Sequence, residues 1–312
     1  MEIKDRGFFG EFHPLMKLLI LIMIAIVSLF LVMVLGSLVL IPFIADGSLE
    51  SIMRGIDYSG ISNLNILRYM QILSHIGLFL IPSLLFAYLI GGGVNSYFGL
   101  SRPISFGLVL LSLFLMFSAV PLINYLIELN MSISLPDSMS RVEEWMRRTE
   151  DSAMELTERF LHVEAFHGLL FNIFMIAVIP AIGEEFLFRG IVLRLFRQWS
   201  KNIHVAVLVS AVLFSAMHLQ FYGFLPRLFL GILLGYIFVW SGSIWLPVFL
   251  HFLNNTIAVT AYYLIHNGYW DIDYHDMGKE TTASIYVVFS IIAVGLILYL
   301  FYRFYKLKIV SD

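Results

Sequence analysis

The chain has 312 residues, of which 60% are hydrophobic and 13% charged, with a net charge of −3 and no cysteine. Soluble domains carry about 25% charged residues, and the apolar residues here occur in long runs, so we expect a multi-pass protein in a lipid bilayer. The missing cysteine excludes disulfides, cysteine nucleophiles and thiolate metal sites. The slightly negative charge argues against a nucleic-acid partner.

The apolar runs predict an all-α polytopic fold with about eight transmembrane helices and the active site inside the bundle. A single transmembrane domain is expected over residues 1–312, without internal repeats. One span needs about 20 residues. The predicted spans are 15–44, 66–90, 104–127, 166–197, 203–222, 225–241, 244–266 and 283–304. The first and fourth exceed the length of one span, so they must tilt or protrude.

Basic residues near the ends of the spans predict the orientation of the bundle. They precede the first span and follow the second, fourth and eighth, with Lys4, Arg102, Lys201 and Lys306 as examples. An even number of spans places all of them on one side, which the positive-inside rule makes cytoplasmic. We therefore expect an integral protein of the plasma (inner) membrane with both termini in the cytoplasm.

A charged segment, residues 130–164, separates the third and fourth spans. Its composition predicts an extramembrane helix. Three readings are open: a solvated connection, a helix that lies on the membrane or caps the bundle, and a substrate gate.

Ionisable and amide side chains occur in the apolar spans, where they are costly and usually functional. The candidates are Glu184, Glu185 and Arg189 in the fourth span, His218 in the fifth, and His251 and Asn255 in the seventh. Arg189 follows Glu185 by four residues, so the two are expected to pair. His75, in the second span, has no accompanying motif and is expected to be a packing or hydrogen-bonding histidine.

Distances along the helices predict how deep these groups lie. Glu184 and His218 flank a shared connection by roughly 16 and 18 residues, which places both about 24–27 Å from it at 1.5 Å per residue. His251 lies about 8–10 residues from the next turn, or roughly 12–15 Å. We therefore expect Glu184 and His218 at similar depth and His251 somewhat shallower, unless the fourth span tilts.

Such a set of groups could hydrolyse a bond within the bilayer. A carboxylate can deprotonate a water that a histidine holds, and a second histidine with an amide can donate hydrogen bonds to an oxyanion. Alternatively, Glu184, His218 and His251 could bind a divalent metal such as zinc. Purely structural readings, as ion pairs or interhelical hydrogen bonds, are also open.

Three short motifs carry these residues in chain order. They are Glu-Glu-x-x-x-Arg at 184–189, Phe-x-x-x-His at 214–218 and His-x-x-x-Asn at 251–255. In this order they resemble the CPBP family, which includes the type II CAAX prenyl endopeptidases and the Abi bacteriocin-processing proteins. The resemblance covers about residues 165–260, the motif-bearing core. It implies an intramembrane endopeptidase that cleaves a membrane-embedded or prenylated peptide, or a membrane protein.

The resemblance also implies a role for each motif residue. Glu184 would activate the water, and His218 would help to position it. His251 and Asn255 would form the oxyanion hole. The remaining two residues, Glu185 and Arg189, would support the site.

Family members have been described both as metalloproteases and as glutamate-dependent proteases without a catalytic metal. This chain has no HExxH motif, and its third motif contains asparagine. We therefore favour the glutamate mechanism without a cofactor.

Other functions fit the same residues. A non-catalytic bacteriocin-immunity or scaffold membrane protein would keep the motifs without using them in catalysis. A secondary transporter or proton relay could use the buried glutamates and histidines, but no repeat symmetry or paired broken helices support it.

Overall fold

The computed structural model describes residues 7–41, 64–102, 104–271 and 284–311. This part of the chain is helical and contains no strand, which confirms the predicted all-α fold. The main helices are α1 (Pro14–Leu40), α2 (Leu64–Gly91), α3 (Phe106–Met131), α4 (Ser140–Leu161), α5 (Phe166–Ser200), α6 (Ile203–Ala216), α7 (Phe224–Ser241), α8 (Trp245–His266) and α9 (Ser284–Ser311). Shorter helical turns occur at Val94–Phe98, Asp137–Met139 and Phe221–Gly223.

Within the described ranges, seven helices are long and apolar enough to cross a membrane, and α6 is a shorter apolar helix. The chain is therefore an integral, multi-pass membrane protein, as predicted. Seven of the eight predicted spans coincide with one of the long helices. Two ends of those predicted spans, at residues 42–44 and 283, lie outside the described residues.

The prediction of a full fifth span at 203–222 is wrong. Helix α6 has 14 residues and ends at Ala216, which gives about 21 Å at 1.5 Å per residue, short of a bilayer core of about 30 Å. Leu219 adopts a left-handed backbone with φ 52°, and a 3₁₀ turn at Phe221–Gly223 leads into α7. Apolar side chains continue through this turn, so composition alone could not show where the helix ends.

Helix α5 departs from regular α-helical geometry at two places. Its π-helical segments, Ile173–Val178 and Phe186–Val192, flank a short α-helical stretch that contains the glutamate pair. Pro180 lies between them and has no N–H to donate to Ile176 O, the acceptor four residues earlier. π-Helical turns are rare and frequent at functional sites, and here they set the direction in which the glutamates point.

Glycines let α7 approach α6 closely. A Cβ atom at Gly231 would lie 2.9 Å from Ala211 Cβ, and one at Gly235 would lie 2.9 Å from Val207 Cγ1. Real Cβ atoms do not come so near a packed neighbour, so larger residues would push the helices apart. The Gly231–Gly235 pair thus permits close packing within the bundle.

The turn between α6 and α7 is held by two other helices. Asn130, at the end of α3, donates to Phe221 O at 2.9 Å and accepts from Leu225 N at 2.6 Å. On α4, Glu150 Oε2 accepts a hydrogen bond from Tyr222 N at 3.1 Å. The charged segment therefore contacts this turn through Glu150.

Candidate active site

Two adjacent glutamates of α5 lie inside the bundle and have different partners. Glu184 is 5% exposed and Glu185 is 0% exposed. Consecutive helical residues point about 100° apart, so the two carboxylates face different neighbours. This divergence separates the candidate site into one carboxylate that is paired with arginine and a second one that faces histidines.

Glu185 is the paired carboxylate. Its Oε1 accepts from Arg189 Nη1 at 2.8 Å and from His251 Nδ1 at 2.9 Å. Arg189 also donates to Gly231 O at 3.2 Å, which the close approach of α7 makes reachable. A buried charge persists only when it is paired and hydrogen-bonded, and this arrangement meets both conditions. The i, i+4 spacing on the sequence predicts the contact between Glu185 and Arg189.

The bond to Glu185 fixes the orientation of His251. A carboxylate only accepts hydrogen bonds, so Nδ1 of His251 carries the hydrogen and Nε2 points elsewhere. Nε2 lies 3.9 Å from Glu184 Oε2. His251 therefore bridges the two glutamates, with a direct hydrogen bond to one and a longer approach to the other.

The predicted depth of His251 is wrong. It was expected to be shallower than Glu184, yet the two side chains lie 3.9 Å apart. The prediction assumed 1.5 Å of rise for every residue between Glu184 and the connection at its helix end. The π-helical segment Phe186–Val192 departs from that rise, and the estimate also took the helices as untilted.

His218 lies just past the end of α6 and is half-buried. Its Nδ1 lies 2.9 Å from Phe214 O, and because a carbonyl only accepts, Nδ1 carries the hydrogen and leaves Nε2 as an acceptor. His218 interacts electrostatically with Glu184. The following residue, Leu219, has the left-handed backbone noted above, a conformation that concentrates at functional sites.

Phe214, the first residue of the second motif, packs against residues of all three motifs, although the sequence pattern indicated no role for it. Its ring lies 5.2 Å from that of His218 and 5.7 Å from that of His251, both edge-on. The Arg189 guanidinium lies 4.6 Å from the ring centroid, a cation–π contact,. One buried aromatic ring thus touches a residue from each of the three motifs.

Asn255 lies one turn beyond His251 on α8. Its Nδ2 donates to Ile176 O at 3.1 Å, the carbonyl to which Pro180 cannot donate. Its side chain therefore ties α8 to the proline region of α5. No direct contact between Asn255 and Glu184 is found among the described residues.

His75 of α2 is the residue that sequence reasoning placed outside the site. Its Nε2 lies 3.5 Å from Glu184 Oε1. The expectation of a hydrogen-bonding histidine holds, but its partner is the central carboxylate. No local pattern marks this contact, because the two residues belong to helices far apart in the sequence.

The metal alternative can be compared with the side-chain positions. Zinc ligands lie about 2.0–2.1 Å from the ion, so two of them in a tetrahedral site are about 3.3 Å apart. Glu184 Oε2 and His251 Nε2 are 3.9 Å apart, and no three His, Asp or Glu side chains in the described ranges have a spacing that could hold a metal ion. The donor types therefore fit zinc, whereas the spacing does not.

Residues 166–257 match the family model described as type II CAAX prenyl endopeptidase Rce1-like. The match contains all three motifs and excludes His75. No curated protein and no solved structure matches the chain. The family predicted from the motifs is thereby confirmed, and the chain carries a type II CAAX prenyl endopeptidase Rce1-like domain, the domain of an intramembrane protease.

Proposed function

We propose that the protein hydrolyses a peptide bond of a membrane-embedded or prenylated peptide, with Glu184 as the general base. The observation that carries this proposal is the state of the two carboxylate oxygens. Oε1 faces His75 at 3.5 Å, whereas Oε2 is buried and accepts no hydrogen bond from any described residue. Glu185 Oε2 is also buried without a hydrogen bond from the described part of the chain, but Oε1 of that carboxylate is already bonded to Arg189 and His251. An unsatisfied buried acceptor costs about 1–3 kcal/mol, and a water that donates to Oε2 would remove that cost.

His218 and Glu184 together orient this water in the proposed mechanism. Nε2 of His218 is an acceptor, so the water donates one hydrogen to it and the other to Glu184 Oε2. The oxygen lone pair then points towards the substrate carbonyl. Glu184 takes the proton as the oxygen attacks, which is general base catalysis.

His251 and Asn255 stabilise the oxyanion in the same proposal. In the imidazolium form both ring nitrogens of His251 donate, so Nε2 can bind the oxyanion while Nδ1 stays on Glu185, whose charge compensates the ring. Asn255 keeps a second amide hydrogen beyond the one given to Ile176 O. Each donor in a dry site contributes about 3–4 kcal/mol to transition-state stabilisation.

The cellular setting is proposed from the charge pattern. Basic residues cluster at one end of the bundle, where Arg102 Nη1 donates to Gly242 O at 3.1 Å between α7 and α8. This end is proposed to face the cytoplasm, in the plasma (inner) membrane, with both termini on that side. Helix α6 is short, but Gly231 packs on Ala211 and Gly235 on Val207, so α6 runs antiparallel to α7 and, with the turn that follows it, is counted as one crossing in this proposal. The proposed partners are the bilayer and a peptide or membrane-protein substrate.

The test compares purified wild type and Glu184→Gln in lipid nanodiscs, with a CAAX-type peptide in prenylated and unprenylated forms. The substitution keeps the size of the side chain and removes the base, so kcat should fall by about 10²–10⁴-fold. Glu164→Gln makes the same change at an exposed residue and should keep the wild-type rate. Equal cleavage by wild type and Glu184→Gln would contradict the proposal.

A chelator in the same assay separates the two mechanism classes. The glutamate mechanism predicts no change in rate when a strong zinc chelator is added, because no step passes through a metal. Loss of activity with the chelator and recovery with added zinc would instead support a metal at Glu184, His218 and His251. Retention of a cellular phenotype by Glu184→Gln would support an immunity or scaffold role.

A further inference from the structure

His75 reaches the site because α2 and α5 lie unusually close at this level. A Cβ atom at Gly183 would lie 3.0 Å from Phe79 Cβ, so the glycine next to Glu184 lets the helices approach. The His75 ring packs against Phe79, with centroids 5.4 Å apart. His75 also ends the α-helical part of α2, directly before the π-helical segment Ile76–Leu80.

The neighbours of His75 determine which ring nitrogen carries the hydrogen. Gln71 Nε2 lies 3.2 Å from His75 Nδ1, and an amide NH₂ only donates, so Nδ1 acts as the acceptor. The hydrogen is then on Nε2, which faces Glu184 Oε1. Donation from Nδ1 to Gln71 O, 3.3 Å away, would turn the Nε2 lone pair towards a carboxylate, which is repulsive.

A directed chain of hydrogen bonds follows from this assignment. Gln71 Nε2 donates to His75 Nδ1 at 3.2 Å, and His75 Nε2–H points towards Glu184 Oε1 at 3.5 Å, at the long end of hydrogen-bond distances,. The other oxygen, Oε2, accepts nothing from a described residue and faces His251 Nε2 at 3.9 Å. One carboxylate oxygen is thus occupied from α2 and the other is turned towards the histidine of α8.

We propose that His75 is a positioning residue that orients the Glu184 carboxylate through Nε2–H, with Gln71 setting its tautomer. This inference rests on the proposed function, in which Glu184 Oε2 is the base. It adds a residue of α2, outside residues 166–257, to the catalytic arrangement. His75 acts through Glu184 and does not itself touch the substrate.

The test uses three substitutions that differ in where they place a donor. In His75→Gln the amide nitrogen reaches about the position of Nε2, in His75→Asn it falls short, and in His75→Leu it is absent. A hydrogen bond to a charged group corresponds to about a 10- to 100-fold effect on rate. We therefore expect kcat to fall about 10- to 100-fold in His75→Leu and His75→Asn, to stay within about threefold in His75→Gln, and KM to change little in all three.

Gln71→Leu distinguishes the proposed role of His75 from a packing role, because only the proposed role predicts that its effect on kcat depends on the residue at position 75. In the wild-type background it removes the donor that sets the tautomer, so kcat should fall. In the His75→Gln background no tautomer remains to be set, so the same substitution should have no further effect. His167→Leu, at an exposed position of α5, is the control for loss of a histidine and should keep wild-type activity.

The inference is overturned if His75→Leu keeps a kcat within twofold of wild type, or if His75→Gln loses as much activity as His75→Asn. The Gln and Asn variants keep the test decisive even if His75→Leu does not fold, because both carry an amide and differ only in length. Failure of the proposed function looks different, since wild type and Glu184→Gln would then cleave equally. Cleavage that depends on Glu184 and not on His75 would refute this inference alone.

Discussion

Replacing Arg189 with methionine would leave Glu185 as a buried carboxylate without its cation. The two side chains are 1% and 0% exposed, and Arg189 Nη1 lies 2.8 Å from Glu185 Oε1. Methionine fills a similar volume but supplies neither charge nor donors. Because both side chains are almost fully buried, bulk water does not reach them to replace the lost interaction.

The size of the effect follows from three contacts of one side chain. Removing one partner of a buried ion pair costs about 3–5 kcal/mol. Arg189 also donates to Gly231 O at 3.2 Å, and its guanidinium lies 4.6 Å from the Phe214 ring centroid. These contributions share one residue and do not add simply, so we expect the free energy of unfolding to fall by at least about 3 kcal/mol.

Unfolding by sodium dodecyl sulfate titration, followed by tryptophan fluorescence, measures this change. The double variant Glu185→Gln/Arg189→Met removes the stranded charge as well, so it should be more stable than Arg189→Met alone. Arg159→Met is the control, because Arg159 pairs with Glu155 at 3.2 Å on the exposed face of α4. An exposed pair of this kind contributes at most about 1 kcal/mol.

Two results would refute this reasoning. The first is an Arg189→Met protein whose free energy of unfolding lies within about 1 kcal/mol of wild type, a difference typical of an exposed pair. The second is a double variant that is less stable than Arg189→Met. If the unpaired buried carboxylate causes the loss, removing its charge should raise the free energy of unfolding above that of Arg189→Met.

Two further predictions concern the framework of the site. Gly231→Val should lower the free energy of unfolding by about 1–3 kcal/mol, because its Cβ would lie 2.9 Å from Ala211 Cβ. The control is Gly295→Ala, since no atom of the described residues lies within 4 Å of a Cβ at that position. Equal stability of the two variants would contradict the packing argument. Glu150→Leu should speed hydrogen exchange at Tyr222 N–H, which donates to Glu150 Oε2 at 3.1 Å. Glu150→Gln keeps an acceptor, so exchange in that variant should stay at the wild-type rate. Unchanged exchange in both variants would show that α4 does not hold this turn.

Local sequence patterns predicted the parts of the site that depend on one helix. Long apolar runs identify membrane helices because the bilayer fixes their length, and the model has helices at seven of the eight predicted spans. The contact between Glu185 and Arg189 follows from i, i+4 spacing. The order of the three motifs was sufficient to predict the family.

Contacts between distant helices could not be predicted in this way. His75 is a single histidine without a periodic partner, and only the close approach of α2 at Gly183 brings it to Glu184. The depth of His251 relative to Glu184 depends on helix tilt and on π-helical turns, which no residue pattern predicts,. The end of α6 was missed because hydrophobic side chains continue through the turn around Leu219.

Pro180 has an effect beyond the kink usually assigned to a proline within a membrane helix. Since it brings no N–H to the Ile176 carbonyl, the side chain of Asn255 is the donor there, at 3.1 Å. A residue with an N–H at position 180 would bring a second donor to the same oxygen, which can accept two hydrogen bonds. Positions 180 and 255, 75 residues apart in the chain, therefore meet at one carbonyl, and a substitution at either position changes the hydrogen bonding available to the other.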